Sequence, residues 1–186
     1  ATFAGNEAGT RTVTLTGYNP ELARLAFGGT SGTVLRSAVA EEIILGGQGL
    51  PTAAEVYVGA SAHRIDTKLN LKQDLLIKVD GLRGLFAGTI QATDVQSKDI
   101  WLQGAGEVAF ASAVTGTAWD MNVTLQGPTL ITQSQQFDNL TLEVGAVISQ
   151  HYLDLDTTQR VVTAASAVKS TPGTVFLGTA TQADRS

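Results

Sequence analysis

Asp99-Ile-Trp-Leu-Gln-Gly104, Asp120-Met-Asn-Val-Thr-Leu-Gln-Gly127 and Asp138-Asn-Leu-Thr-Leu-Glu-Val-Gly145 are near-copies of one unit, and their reading decides the fold. Each opens on Asp, alternates apolar with polar side chains, and stops at a glycine. Each is followed by a second short apolar run: Val108-Ala-Phe-Ala111, Thr129-Leu-Ile-Thr132 and Ala146-Val-Ile-Ser149. Leu102, Leu125 and Leu142 are equivalent, so the unit returns after 23 and then 17 residues, about one coil of a β-solenoid.

The alternation places Ile100 with Leu102, Val123 with Leu125, and Leu140 with Leu142 on one side of their strands. One coil cannot hide such a face, whereas a second coil laid on the first buries both as a continuous stripe. The competing reading is a β-sandwich of ordinary hairpins, since strands and glycine turns resemble one another in many folds. Both readings are all-β. Stacked coils are preferred, with Ile100, Val123 and Leu140 as tiers of one column.

Composition agrees with thin β layers. The 186 residues include 20 glycines and one methionine, with 16% charged and 6% aromatic side chains, so small and β-branched residues must build the interior. A formal charge of −5 gives a nonspecific hold on nucleic acid no electrostatic source. With no cysteine there are no disulfides and no thiolate metal sites. The apolar runs fall well short of the roughly 18 residues that cross a bilayer, and no charged-then-apolar leader opens the chain. The expectation is a soluble chain with no membrane insertion.

Outward from the repeats, Arg11 to Thr16 alternates as a strand. Asn19-Pro-Glu-Leu-Ala-Arg-Leu-Ala-Phe-Gly-Gly29 predicts a short helix over residues 19–27: Asn19 at the N-cap, Pro20 at the first helical position, Glu21 near the positive end, Leu22, Leu25 and Ala26 on one face, and Gly28 as the stop. Thr33 to Leu45 reads as two strands around Ala40-Glu41-Glu42, or as a second weak helix, and Gly46 to Pro51 as a loop. Val56 to Val58, Leu69 with Leu71, Leu75 with Ile77 and Val79, and a run from Leu85 to Ala92 read as strands, with Asp80-Gly81 a turn. After Gln150 the runs Tyr152 to Asp156, Arg160 to Thr163 and Thr174 to Gly178 read as a C-terminal β-meander. The chain therefore divides into an N-terminal attachment or capping region (1–60), a repetitive β region (61–150) and the meander (151–186).

Candidate chemistry is sparse. Asp99, Asp120 and Asp138 recur at matching places; two carboxyls about 5–10 Å apart suit glycoside cleavage, but Asp ahead of a strand more often caps a turn by accepting backbone N–H groups. Asp154 and Asp156 beside His151 suggest a hard-cation site, against the plainer reading of strand residues facing water. The glycine clusters Gly28 to Gly32 and Gly46 to Gly49 do not lead from a strand into a long helix, which disfavours phosphate binding. Trp101, Trp119 and Phe137 fall near equivalent edges of successive units and are the candidate interface or sugar-stacking residues. No catalytic residue, cofactor or metal ligand is assigned.

The closing segment, Tyr152-Leu-Asp-Leu-Asp-Thr-Thr-Gln-Arg-Val-Val-Thr163 with Thr171-Pro-Gly-Thr-Val-Phe-Leu-Gly-Thr179, resembles the endings of many bacteriophage fibre and spike proteins. Tyr18-Asn-Pro-Glu-Leu-Ala-Arg-Leu-Ala-Phe-Gly-Gly-Thr30 is similar to a segment of some phage tail-tube subunits. The resemblance implies a non-enzymatic structural component of the virion, a head or tail fibre or spike assembling as a homotrimer, with other virion proteins and a host-surface glycan as partners. The alternatives are a tail-tube subunit and a secreted β-solenoid that binds or cuts polysaccharide through the Asp99, Asp120 and Asp138 edge.

Overall fold

A strand with apolar residues at every second position needs cover on one face, and here the remainder of its own coil and the coils stacked on it supply that cover. The computed structural model describes residues 1–5, 9–47, 53–94, 96–112, 114–115, 121–131, 135–143, 147–151, 162–169 and 179–180. They form a parallel β-solenoid in which five successive coils carry three strands each. These are β1 (Thr2–Phe3), β2 (Arg11–Leu15) and β3 (Glu21–Leu22); β4 (Arg24–Phe27), β5 (Thr33–Ser37) and β6 (Glu42–Leu45); β7 (Ala53–Val58), β8 (Ala62–Ile65) and β9 (Lys68–Leu71); β10 (Asp74–Val79), β11 (Arg83–Phe86) and β12 (Ile90–Ala92); and β13 (Lys98–Gln103), β14 (Glu107–Phe110) and β15 (Val114–Thr115). Two described strands mark each later coil: β16 (Met121–Leu125) with β17 (Pro128–Ile131), β18 (Gln135–Leu142) with β19 (Val147–His151), and β20 (Val162–Lys169) with β21 (Thr179–Ala180).

The first sheet runs β1-β4-β7-β10-β13-β16-β18-β20, the second β2-β5-β8-β11-β14-β17-β19-β21, and the third β15-β12-β9-β6-β3. Register turns the alternation into columns. In the first sheet Leu25 pairs with Val56, Val56 with Ile77, Ile77 with Leu102, and Leu102 with Leu125, and all five are buried. The expected tiers stand above one another, Ile100 on Val123 and Val123 on Leu140, with Leu75 and Ala54 continuing the column on the other side. The second sheet stacks Leu35, Ile65, Phe86 and Phe110, and the third stacks Ile43, Leu69 and Ile90. The buried residues of these columns make one core cluster.

The predicted helix over 19–27 is not present: Glu21–Leu22 and Arg24–Phe27 are strands. A helix of two and a half turns is marginal without packing, while Leu25 and Phe27, two apart, fit the strand period and are fully buried. As a strand, β4 is bonded on both sides, Ala26 N–H to Ala1 O (2.8 Å) and Gly28 N–H to Phe3 O (2.9 Å), Glu55 N–H to Ala23 O (2.9 Å) and Gly59 N–H to Phe27 O (2.8 Å). Pro20, read as the first helical residue, instead offers its carbonyl to Ile44 N–H at 2.9 Å.

The strands of residues 1–60 belong to the same three sheets as the repeats. Thr33 to Leu45 is two strands, and Leu85 to Ala92, expected as one strand, is split by a corner between β11 and β12. Beyond Gln150, β20 and β21 add in parallel to β18 and β19 instead of pairing with each other. The expected meander strands over 152–156 and 174–178, and most of the run at 160–163, lie outside the described residues.

The corner between the first and second sheets is glycine-rich for a steric reason. Gly104 has φ +106°, and a Cβ there would run into the Val79 backbone of the preceding coil. Gly104→Ala is expected to lower stability by about 1–3 kcal/mol, and Ile77→Ala, which empties one tier of a column, by about 2–5 kcal/mol, both read by chemical denaturation.

Candidate functional site

Parallel in-register stacking sets equivalent residues one strand spacing apart, about 4.8 Å, so an outward column must tolerate its own repetition. Each of the three sheets does so with an ion pair between register partners: Arg24 with Glu55 at 2.5 Å, Arg83 with Glu107 at 2.5 Å, and Lys68 with Glu42 at 2.7 Å. Such half-exposed pairs are each worth about 0–1 kcal/mol, so they serve register more than stability. Lys68 holds the Glu42 carboxyl below its ordinary range, with help from Asn70, whose Nδ2 donates to Glu42 Oε1 at 2.8 Å.

The expected acidic ladder is rearranged. Asp99 pairs in register with Asn122, and Asn122 with Asn139, so the column at the start of the first-sheet strands continues in amides. Asp99 N–H donates to Asp74 Oδ1 at 3.0 Å, and Asn122 Nδ2 donates to Asp99 Oδ1 at 2.8 Å. Each carboxylate is engaged by a donor from the following coil. The Asp99 carboxylate thus bridges to a side chain of the next coil from within β13, and the acceptor of its backbone N–H is Asp74. Asp120 lies outside the described residues, and the Asp138 backbone lies within β18.

Trp101 sits on the outer side of β13, half-buried, between register partners Leu76 and Thr124. Phe137 lies in β18 with its backbone paired to Ala164, four positions before Thr141, which is the register partner of Thr124. The two aromatics are therefore not equivalent positions of successive coils. Trp119 is outside the described residues, as are Asp154 and Asp156, while the His151 backbone pairs with Ala180. Among the described residues no group of three or more His, Asp or Glu is placed to hold a metal, and no helix is long and apolar enough to cross a membrane.

Three polar arrangements escaped the sequence reading, two of them because they join residues about one coil apart. At the corner after the second sheet, Glu41 clamps two stacked turns: Oε1 accepts from Gly17 N–H and Oε2 from Val39 N–H, both at 2.9 Å, while Asn19 Oδ1 accepts from Glu42 N–H at 3.0 Å. These backbone donors pull the Glu41 carboxyl from 4.5 down to about 2. At the start of β13, Lys98 is 3% exposed with its Nζ 3.1 Å from Asp94 Oδ2. Inside the second sheet His63 is buried, accepting Thr33 N–H on Nδ1 at 3.1 Å and placing Nε2 2.7 Å from Ala60 O. For Glu41 and His63 the sequence held one signal, an offset of roughly one coil between the polar partners, masked by corners of unequal length; Lys98 and Asp94 are only four residues apart.

No protein-family model, curated protein or solved structure matches the chain.

The depressed Glu41 pKa contributes stability that is present above pH 4.5 and lost as pH falls toward 2. Thermal melts across that window are expected to show the parent losing its advantage over Glu41→Gln, the two curves meeting near pH 2. Asp94→Ala, which strands the Lys98 ammonium, is expected to cost about 1–3 kcal/mol in denaturant, and Lys98→Met in that background to recover most of it.

Proposed function

We propose that this chain is a non-enzymatic structural component of a bacteriophage particle, a fibre or spike protein that assembles as a homotrimer, with the solenoid as its stiff shaft. The observation that carries the mechanical reading is the unbroken column Leu25, Val56, Ile77, Leu102 and Leu125, a single line of packed side chains along the axis. Eight stacked first-sheet strands at ~4.8 Å make a rod about 34 Å long. Each coil is bonded to its neighbours on two or three sides, so bending the rod means breaking several ladders together.

The polar groups of the outer faces support the same reading, because they are largely taken up by contacts between coils. Gln126 bonds Glu143, Asn122 bonds Asp99, and Arg24 lies 5.2 Å from the centroid of the Tyr57 ring while pairing with Glu55. The particle assignment itself rests on the resemblance of residues 152–179 to phage fibre and spike endings. The tail-tube alternative drew on residues 18–30, where β3 and β4 stand in place of a helix.

Mass photometry of the 186-residue chain is expected to give trimers, and negative-stain images slender particles. Stacked rings would favour the tube alternative. Monomers that release reducing sugar from a polysaccharide, with loss of release in Asp99→Asn, would replace the structural reading with an enzymatic one.

A further inference from the structure

In a parallel solenoid the ladder between two coils is made of backbone N–H and C=O groups, and a side chain that takes one of those places brings its own titration with it. His63 holds such a place. The β5–β8 pairing joins Val34 with Arg64 and Leu35 with Ile65, and just ahead of it Thr33 N–H is received by the imidazole Nδ1 of His63 at 3.1 Å. Since a backbone N–H can only donate, Nδ1 must be the unprotonated nitrogen. The proton is then on Nε2, which donates to Ala60 O at 2.7 Å. Both ring nitrogens are committed, in the neutral form.

The surroundings leave no room for a second proton. His63 is 3% exposed, and its ring lies 5.1 Å from that of Phe27, which stacks in turn on Phe3 at 5.2 Å. On the inner side of the second sheet it follows Thr33, fully buried with an Oγ1 that has no hydrogen-bond partner, and Arg11, the register partner of Thr33. Among the described residues the charged group facing the ring is the Arg11 guanidinium, from β2. Arg64 of its own strand points to the outer face and pairs with Asp66, Arg83 of β11 points outward to Glu107, and Arg24 of β4 pairs with Glu55. Gly84 of β11 brings no side chain. No carboxylate among the described residues faces the imidazole to stabilise its cation.

We infer that the Arg11–Thr33–His63 column is an acid-sensitive latch on the first two coils: protonating Nδ1 of His63 sets a donor against Thr33 N–H and a second cation beside Arg11, which releases β1 to β6 from β7 to β9. The proton comes from solvent and no bond other than Nδ1–H is formed. Burial, reinforced by Arg11, holds the imidazole below its ordinary 6.5 against the raising effect of the Ala60 and Gly29 carbonyls, so the latch is closed at neutral pH. A group whose folded pKa is depressed stabilises above its unfolded value and loses that contribution as pH falls below about 6.5. This inference does not depend on the particle assignment.

Hydrogen exchange read by mass spectrometry on the full chain, corrected for intrinsic rates, tests it at pH 7.5 and 5.0. Amides of residues 11–45 are expected to lose protection by up to about 30-fold on acidification, the limit for a group of pKa near 6.5 in the open form, while those of 75–110 hold theirs. His63→Gln, which keeps an acceptor for Thr33 and a donor for Ala60 without titrating there, is expected to abolish the difference. Arg11→Gln should reduce it. Long-range nitrogen–proton correlation spectra should show His63 as the Nε2–H tautomer with a pKa under 6.5. An equal loss of protection in His63→Gln, no loss in the parent chain at pH 5.0, or an Nδ1–H tautomer would overturn the latch. Should His63→Gln not fold, the Arg11→Gln response and the spectra still decide it.

Discussion

Parallel, in-register stacking is the constraint on which everything else in this chain depends. It sets each residue on its own equivalent at one strand spacing, so a position must be compatible with a near-copy of itself above and below. Apolar residues meet that condition without cost, and Leu25, Val56, Ile77, Leu102 and Leu125 do so along the length of the first sheet. Charged residues do not, and the outer faces answer with alternation of sign, Arg24 over Glu55, Glu42 over Lys68 and Arg83 over Glu107, or with a change from carboxylate to amide, Asp99 to Asn122.

The same constraint makes polar residues inside the coil conspicuous. His63, Thr33 and Lys98 are almost fully buried on the inner side of their strands, where His63 is held by Thr33 N–H and Ala60 O and Lys98 by Asp94. His63 completes a ladder with an imidazole, and Lys98 reaches Asp94 at the corner. Such sites divide a rod that is otherwise uniform, since the stability of a stacked array is a sum over adjacent coils and the weakest junction opens first. The β5–β8 junction, two register pairs extended by one side-chain acceptor, is of that kind.

Corners carry the variation that the sheets forbid. Gly104 needs its left-handed backbone because the chain passes directly over Val79, whereas the turn at Ala38 to Glu41 is shaped by one carboxylate that gathers N–H groups from two coils. An exposed Tyr18 and Val39 stand on the two stacked turns that Glu41 joins, clear of the core. The outer faces are thereby spent largely on binding one coil to the next.

Read alone, the sequence determined that the chain is all-β and favoured Ile100, Val123 and Leu140 as one column, because the two-residue alternation and the glycine stops are local and survive without a partner. It did not determine the state of residues 19–27, where capping residues favour a helix and the burial of Leu25 and Phe27 favours a strand; the choice fell to β1 and β7, which bond both edges of β4. Nor did it reveal that the strands of residues 1–60 are coils of the same solenoid, or that Glu41 and His63 are polar anchors, since their partners lie in other coils and corners of unequal length conceal the offset. Alternation is written residue by residue, but register exists only between strands, so the tertiary structure alone could decide which side chains meet.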